Sequence, residues 1–312
     1  MTDSDKHATN LDELFKKHVE YSLEAPKTSN SVPKSGLTSK IFRFSAQNLN
    51  AAKIALAAHL DSKILTANTI LCSILWSCIS RVRLDRVRGQ ASPSDQERYK
   101  YSKLGFAING RRRIGDAFAT GKRYLGNVNL FGIVHLKMDT LVNNNTNLPS
   151  SAGTGQIPLP QSFTEIVQAI AAAIARVDAT FVSEVISLAE QVPNVRALLP
   201  GWSSWNGPDL TITSWASLGT YSVDFGPALG KPDFFRVPYA QADGLCIALP
   251  RKEERQPEGT CRDTASEEGN AGSRPAPLKP TLGDIEVVVM LRQDDMQVLE
   301  RDEIWRTWTD SF

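Results

Sequence analysis

From Val128 to Asp139 the sequence VNLFGIVHLKMD alternates residue by residue. Val128, Leu130, Val134, Leu136 and Met138 share one face, and Asn129, Phe131, Ile133, His135, Lys137 and Asp139 share the other. A period of two commits the segment to a β-strand, and the apolar residues on both faces at its start call for protein cover on both sides of a sheet. The chain must therefore supply partner strands and a helical layer. Strand candidates lie at Ile41–Phe44, Lys103–Asn109, Leu210–Ser214, Tyr221–Val223, Gly244–Leu249 and Ile285–Leu291. Helical spacing runs through Leu49, Ala52, Leu56 and Leu60, and again after Thr66, a candidate N-cap, through Ile70, Ile74, Cys78 and Val82. Ser162 and Glu165 form a capping box that opens the longest predicted helix, carrying Ile166, Ile170, Ile174, Val177, Phe181, Val185 and Leu188 and ending before Pro193. A last helical segment surrounds Met296, Leu299 and Trp305, with Asp294 and Asp295 at its start. Strands and helices alternate without strict order, so the class is α/β or mixed α+β, a mixed sheet flanked by helices.

One domain is expected over 41–312, preceded by a polar segment 1–40 that reads as a linker around Pro26 and Pro33. Within the domain, 251–283 is rich in Glu, Pro, Gly and Ser and is predicted to be a disordered insertion. The 35 basic and 34 acidic residues leave a net charge of +1. That balance gives no field to attract nucleic acid or an anionic membrane, so a ligand must be recognised locally. Arg81, Arg83, Arg86 and Arg88 gather at the C-terminal end of a helix and read as its solvated terminus. Cys72, Cys78, Cys246 and Cys261 have neither metal-ligand nor secreted-disulfide spacing, which fits a reducing, cytoplasmic setting. Cys72 and Cys78 lie in an apolar helical stripe and are not candidate nucleophiles. No signal-like apolar core opens the sequence, no apolar run reaches bilayer length, and no glycine-rich phosphate loop is present. A soluble protein is expected.

The most informative stretch for function is Asp209 to Arg236, DLTITSWASLGTYSVDFGPALGKPDFFR. Its T-S-W, D-F-G and G-K-P phrases follow three others in a fixed order. These are His18-Val19-Glu20-Tyr21, Asn109-Gly110-Arg111-Arg112-Arg113 and Tyr124-Leu125-Gly126-Asn127. Together they resemble the BAHD family of CoA-dependent acyltransferases, fungal members of the trichothecene 3-O-acetyltransferase kind above all. Two departures stand out. Leu125 replaces a Phe, and DFGPALGKP replaces the DFGWG of plant members.

The resemblance implies a CoA-dependent acyltransferase-like fold whose two domains form a channel, with acyl-CoA (acetyl-CoA) and a small-molecule alcohol or amine acceptor entering from opposite ends and no metal. It places the catalytic His, in an HxxxD motif, in an N-terminal domain before the interdomain crossover. The H-V-E-Y phrase marks that crossover at the start of this chain, so the chain is expected to be the C-terminal part, with 1–40 a crossover remnant, and to be inactive without a partner half. It assigns Trp215 to the oxyanion and Thr213 and Ser214 to the channel lining. It makes Asp224, Phe225 and Gly226 architectural, with Asp224 paired to Arg111 or Arg113 as a buried lock.

One literal HxxxD is present, His135-Leu136-Lys137-Met138-Asp139. In a continuous strand these two residues stand roughly 13 Å apart, beyond a hydrogen bond, so His135 reads as structural and not as the base. Two rival readings remain open: a non-catalytic binding module on the same fold, and kinship with the condensation domains of peptide synthetases.

Overall fold

The structure, a computed structural model, describes residues 10–25, 35–90, 97–114, 126–143, 159–160, 162–238, 242–254 and 281–310. In chain order it contains α1 (Leu11–Lys17), β1 (Tyr21–Ser22), β2 (Leu37–Phe44), α2 (Ala46–Leu56), α3 (Ala67–Gln90), β3 (Tyr101–Asn109), β4 (Asn129–Lys137) and α4 (Met138–Val142). There follow α5 (Ser162–Arg176), α6 (Ala179–Gln191), β5 (Leu199–Pro200), β6 (Leu210–Ser214), β7 (Leu245–Ala248), β8 (Glu253–Glu254), β9 (Thr281–Leu282), β10 (Ile285–Arg292), α7 (Gln293–Leu299), α8 (Glu303–Trp308) and β11 (Thr309–Asp310). Most of the predicted insertion, and Tyr124 and Leu125, lie outside the described residues.

Seven strands form one mixed sheet in the order β11-β2-β10-β7-β6-β3-β4. All neighbours are antiparallel except β3 with β6 and β6 with β7, which are parallel. The parallel trio places the C-terminal ends of β3, β6 and β7 side by side. Alternation sorts the strands between two faces. Leu104, Phe106, Ile108, Leu210, Ile212, Cys246, Ala248, Val287 and Val289 face the helices and join the main core. On the other face Ile247, Leu249, Val288 and Met290 form a smaller cluster with Trp215 and Phe235 packed against it.

The helical layer is organised on α3, which is 24 residues long and buried on most of its circumference. It starts where expected. The Thr66 hydroxyl accepts from the amide of Thr69, and the Thr69 hydroxyl accepts from that of Thr66, each at 3.0 Å, so two otherwise orphaned donors are satisfied reciprocally. Trp305 closes the layer against β2, meeting Phe42 and Phe44 edge-on at 4.9 and 5.4 Å. Such pairs add about 0.5–1.5 kcal/mol beyond area burial.

Several expectations are corrected here. The segment from Ser162 to Pro193 is two helices bent by 66°. Asp178 adopts an extended backbone and its carboxylate accepts from the Phe181 amide at 2.8 Å, so it caps a new helix and interrupts a continuous apolar periodicity. Ser162 is already helical, and its hydroxyl donates to the Asn143 carbonyl at 3.0 Å in place of closing a capping box. Tyr221–Val223 contributes to a short 3-10 turn, Thr220–Ser222, and not to a strand. The alternating run ends at Lys137, and Asp139 sits in the first turn of α4. No single described helix is long and apolar enough to cross a membrane.

The arginines of α3 are the largest correction. Arg83 is fully buried, donating to Asp243 at 2.7 Å and to the carbonyl of Asp209 at 2.6 Å. Arg86 pairs with the buried Asp295 at 2.7 Å, and Arg81 holds Asp302 at 2.7 Å. These side chains are internal ties. Burial works against the Arg83 charge, but Asp243 and then Asp295 more than offset it, and its pKa is raised. Burial also pushes the Asp295 carboxyl up, opposed by Arg86 and then Arg83.

A second polar knot fastens residues 17–22. His18 and Glu20 are fully buried. His18 Nε2 meets Glu184 at 2.9 Å and its ring stands edge-on to Phe181 at 4.7 Å, while Glu20 pairs with Arg176 and Lys17 reaches Glu184. Burial holds His18 below its ordinary 6.5 against the pull of Glu184. Glu184, pushed up by burial but hydrogen-bonded by Lys17 and His18, ends below its ordinary 4.5. The unfolded strap binds the His18 proton more readily than the folded one, so its contribution is full above the ordinary histidine value and is lost as pH falls through the lowered one. Protonation of Glu184 removes more at still lower pH. Amide exchange at Gly201, which donates to the Glu20 carbonyl at 2.9 Å, should accelerate near about pH 5 relative to about pH 7.5 after correction for intrinsic rates. Equal protection at both would contradict this.

Candidate functional site

Thr213 lies opposite Ile247, one residue before the C-terminal end of β6, and Trp215 follows the strand. The Trp215 amide donates to the Ala248 carbonyl at 2.8 Å, which carries the β6–β7 register one step further. Alternation sends Thr213 and Trp215 to the face opposite the helices, with Thr211 below them. Trp215 is half-buried against the small apolar cluster, and Phe235 meets its ring edge-on at 6.1 Å. Its indole N–H has no protein partner among the described residues, so it remains a free donor. Ser214 points to the other side of the strand and is exposed at the rim. Thr213 and Trp215 therefore form a pair on one face that Ser214 does not join.

Beneath this pair lies a residue set that the sequence did not single out. Trp202 is buried, and its indole donates to the Thr211 hydroxyl at 2.9 Å. Its ring occupies the space where a Cβ on Gly105 would sit, with an approach of only 1.8 Å. Phe131 meets Trp202 edge-on at 5.2 Å, and Tyr21 backs Phe131 at 5.8 Å. The available signal was Gly105 itself, a glycine inside an otherwise apolar strand, which marks a close approach. Loop 203–209 is held from below. Asp243 accepts both Arg83 and the Asn206 amide at 2.8 Å, and Ser102 bridges the indole of Trp76, at 2.8 Å, to the carbonyl of Pro208, at 2.7 Å. The turn at Gly244 has φ +73, and a Cβ there would come within 2.6 Å of Arg83 Nη2.

The D-F-G element does not form the expected lock. Asp224 is exposed and accepts from the Gly226 amide at 2.8 Å, a local turn. Among the described residues it makes no ion pair with Arg111 or Arg113. The Arg111 side chain instead donates to the carbonyl of Gly126, and the Arg113 amide donates to the Gly110 carbonyl at 2.8 Å, closing a 3-10 turn. One exposed hydrogen bond contributes about 1 kcal/mol, against about 3–5 for halving a buried pair. The physical reason is the loop's own economy of bonds. Gly226 at φ +90 and Gly230 at φ +65 let Phe225 and Gly230 close the turn backbone to backbone, at 2.9 Å for Phe225 N to the Gly230 carbonyl. Phe225 is left 61 % exposed.

His135 lies on β4 opposite Lys103, which is level with Asp209, the residue before β6. Thr213 is four residues further along and two strands across, so the two are about 16 Å apart. His18 is tied to Glu184 on α6. Neither histidine stands with Thr213 and Trp215. The thiols of Cys72, Cys78 and Cys246 are buried and pushed up to about 12 by burial, which makes them inert at neutral pH.

Comparison with known proteins bears on the family and the fold. The family described as the Transferase family matches residues 5–260. Trichothecene 8-O-acetyltransferase of Fusarium sporotrichioides is 31% identical over 281 residues, 87% of this chain and 49% of the relative. The O-acetyltransferase ptmV of Penicillium ochrochloron is 25% identical over 78% of this chain and 44% of the relative. The chain thus spans about half the length of the curated relatives it matches. Among solved structures, F. sporotrichioides TRI101 complexed with coenzyme A and T-2 superposes with a TM-score of 0.60 at 17% identity, over 94% of this chain and 56% of that one. Its fold is the same. The order of motifs, the mixed sheet and these matches together show that the chain belongs to the Transferase family of BAHD-type, CoA-dependent acyltransferases.

Proposed function

We propose that this chain is one half of an acyl-CoA-dependent O-acyltransferase acting on a small-molecule alcohol of the secondary-metabolite kind, with acetyl-CoA as donor. The observation that carries the reading is the pair Thr213 and Trp215, placed together at the C-terminal end of a parallel strand on the helix-free face, with the Trp215 N–H unspent. In open α/β sheets, ligands bind beyond the carboxyl ends of the strands. Attack of the acceptor oxygen on the thioester carbonyl moves charge onto the carbonyl oxygen. A fixed N–H and hydroxyl beside it stabilise the tetrahedral oxyanion, which collapses with loss of the CoA thiol. Proton removal from the acceptor needs a base, worth typically 10²–10⁴-fold. His135 shares this face but stands about 16 Å from Thr213, and the HxxxD histidine of a partner half fills that role. The free, buried thiols fit a reducing, cytoplasmic setting.

The test is reconstitution. The chain is mixed with the part of the trichothecene 8-O-acetyltransferase relative that it does not match, and CoA release from acetyl-CoA is followed with a trichothecene alcohol. Turnover is expected only in the mixture, and Trp215→Phe should lower it about 10²-fold or more with little change in KM. Equal turnover by Trp215→Phe would remove Trp215 from the mechanism.

A further inference from the structure

A cavity of about 290 Å³ opens on the same face of the sheet as Thr213, at the opposite end of β6. Trp202 separates the two. Its indole lies over Gly105 and Thr211, between the cavity and Thr213, so a molecule in the cavity does not touch Thr213 or Trp215. The wall is built by register. Tyr101 and Lys103 share a face of β3, His135 stands directly across from Lys103 on β4, and the Tyr101 and His135 rings lie 4.9 Å apart at a 49° tilt.

The polar groups of this wall are largely unspent. Among the described residues nothing hydrogen-bonds the His135 ring, the Tyr101 hydroxyl or the Glu24 carboxylate, and Lys103 gives one bond, to the Gly201 carbonyl at 2.9 Å. Burial and then the Lys103 charge hold His135 below its ordinary value, so at neutral pH one ring nitrogen donates and the other accepts. Charge is balanced across the opening. Arg98 and Lys103 stand against Glu24 and Asp209, and the Asp209 oxygens are already engaged by the amides of Lys103 at 2.9 Å and Ser203 at 3.4 Å. Interleaved signs leave no net field to hold a simple anion or cation. They suit a molecule whose own groups each donate and accept.

We propose that this cavity is a second ligand site, separate from Thr213 and Trp215, which takes a neutral polyhydroxylated ring compound such as a monosaccharide or cyclitol. The ring rests against Tyr101 and His135, and vicinal hydroxyls divide between Lys103, His135 and Glu24.

The experiment is a titration of the whole ¹⁵N-labelled chain with D-glucose and with myo-inositol to roughly 50 mM, a range that covers a Kd of about 1 mM. A saturable shift of the Trp202 indole and of the His135 ring by at least one of them is expected, with the Trp215 indole unmoved. His135→Ala and Lys103→Met, shown by circular dichroism to be folded, should each weaken binding at least about 10-fold. Absence of a saturable shift with both compounds overturns the proposal. So does a shift that survives both substitutions, or one that moves Trp215 and not Trp202. Acetyl-CoA added alone reads the Trp215 indole independently, so failure here is distinguishable from failure of the acyltransfer reading.

Discussion

Replacing Arg83 with alanine is expected to destabilise the protein by about 3–5 kcal/mol, read as a lower urea midpoint with an unchanged slope. The size follows from what is left behind. Asp243 loses its guanidinium at a fully buried position, Asp295 keeps only Arg86, and the carbonyls of Asp209 and Ser204 lose a donor. Arg83→Met should fare little better, because it restores volume but leaves Asp243 unpaired. Adding Asp243→Asn to Arg83→Met should recover part of the loss, since the remaining group is then neutral. A loss below about 1 kcal/mol for Arg83→Ala would show that the buried tie is dispensable. The same tie holds loop 203–209, which leads into the strand β6 that carries Thr213.

Gly105→Ala is the second large effect. A Cβ at Gly105 would lie 1.8 Å from Cε2 and 2.1 Å from Cζ2 of Trp202, so the indole must leave its place. Overpacking of this kind costs typically about 1–3 kcal/mol. The displaced ring also gives up its bond to Thr211 and its contact with Phe131. Tryptophan emission should shift to the red as Trp202 becomes exposed, and the midpoint of urea unfolding should fall. A Gly105→Ala protein with unchanged emission and midpoint would mean that Trp202 is not seated against the strand.

The strands β2, β3, β4, β6, β7 and β10 were visible in the sequence because each carries a run of strand length with apolar residues on at least one face. Thr66 was visible as a cap because hydroxyl capping is a local property of the chain. The break at Asp178 was not, because the apolar spacing of Ile174, Val177 and Phe181 continues across it and only the carboxylate's bond to Phe181 ends the first helix. Arg83 was misread for a related reason. Local charge suggested a solvated helix end, while its place four residues after Ile79, on the buried stripe, was the signal that it points inward. The T-S-W phrase located Thr213 and Trp215 on one face, but the role expected of Asp224 depends on a contact that its exposed turn does not make. Trp202 and Gly105 were missed because a close packing across 97 positions of sequence, 202 less 105, leaves no local trace beyond the glycine itself.

On the function proposed above, Thr213 and Trp215 stabilise the oxyanion and the base comes from a partner half. The deciding experiment follows CoA thiol release when the purified chain, with no partner half, is incubated with acetyl-CoA and a range of small-molecule alcohols. No release above the protein-free background is expected. Acyl transfer by the chain alone, abolished by His135→Ala, would contradict it.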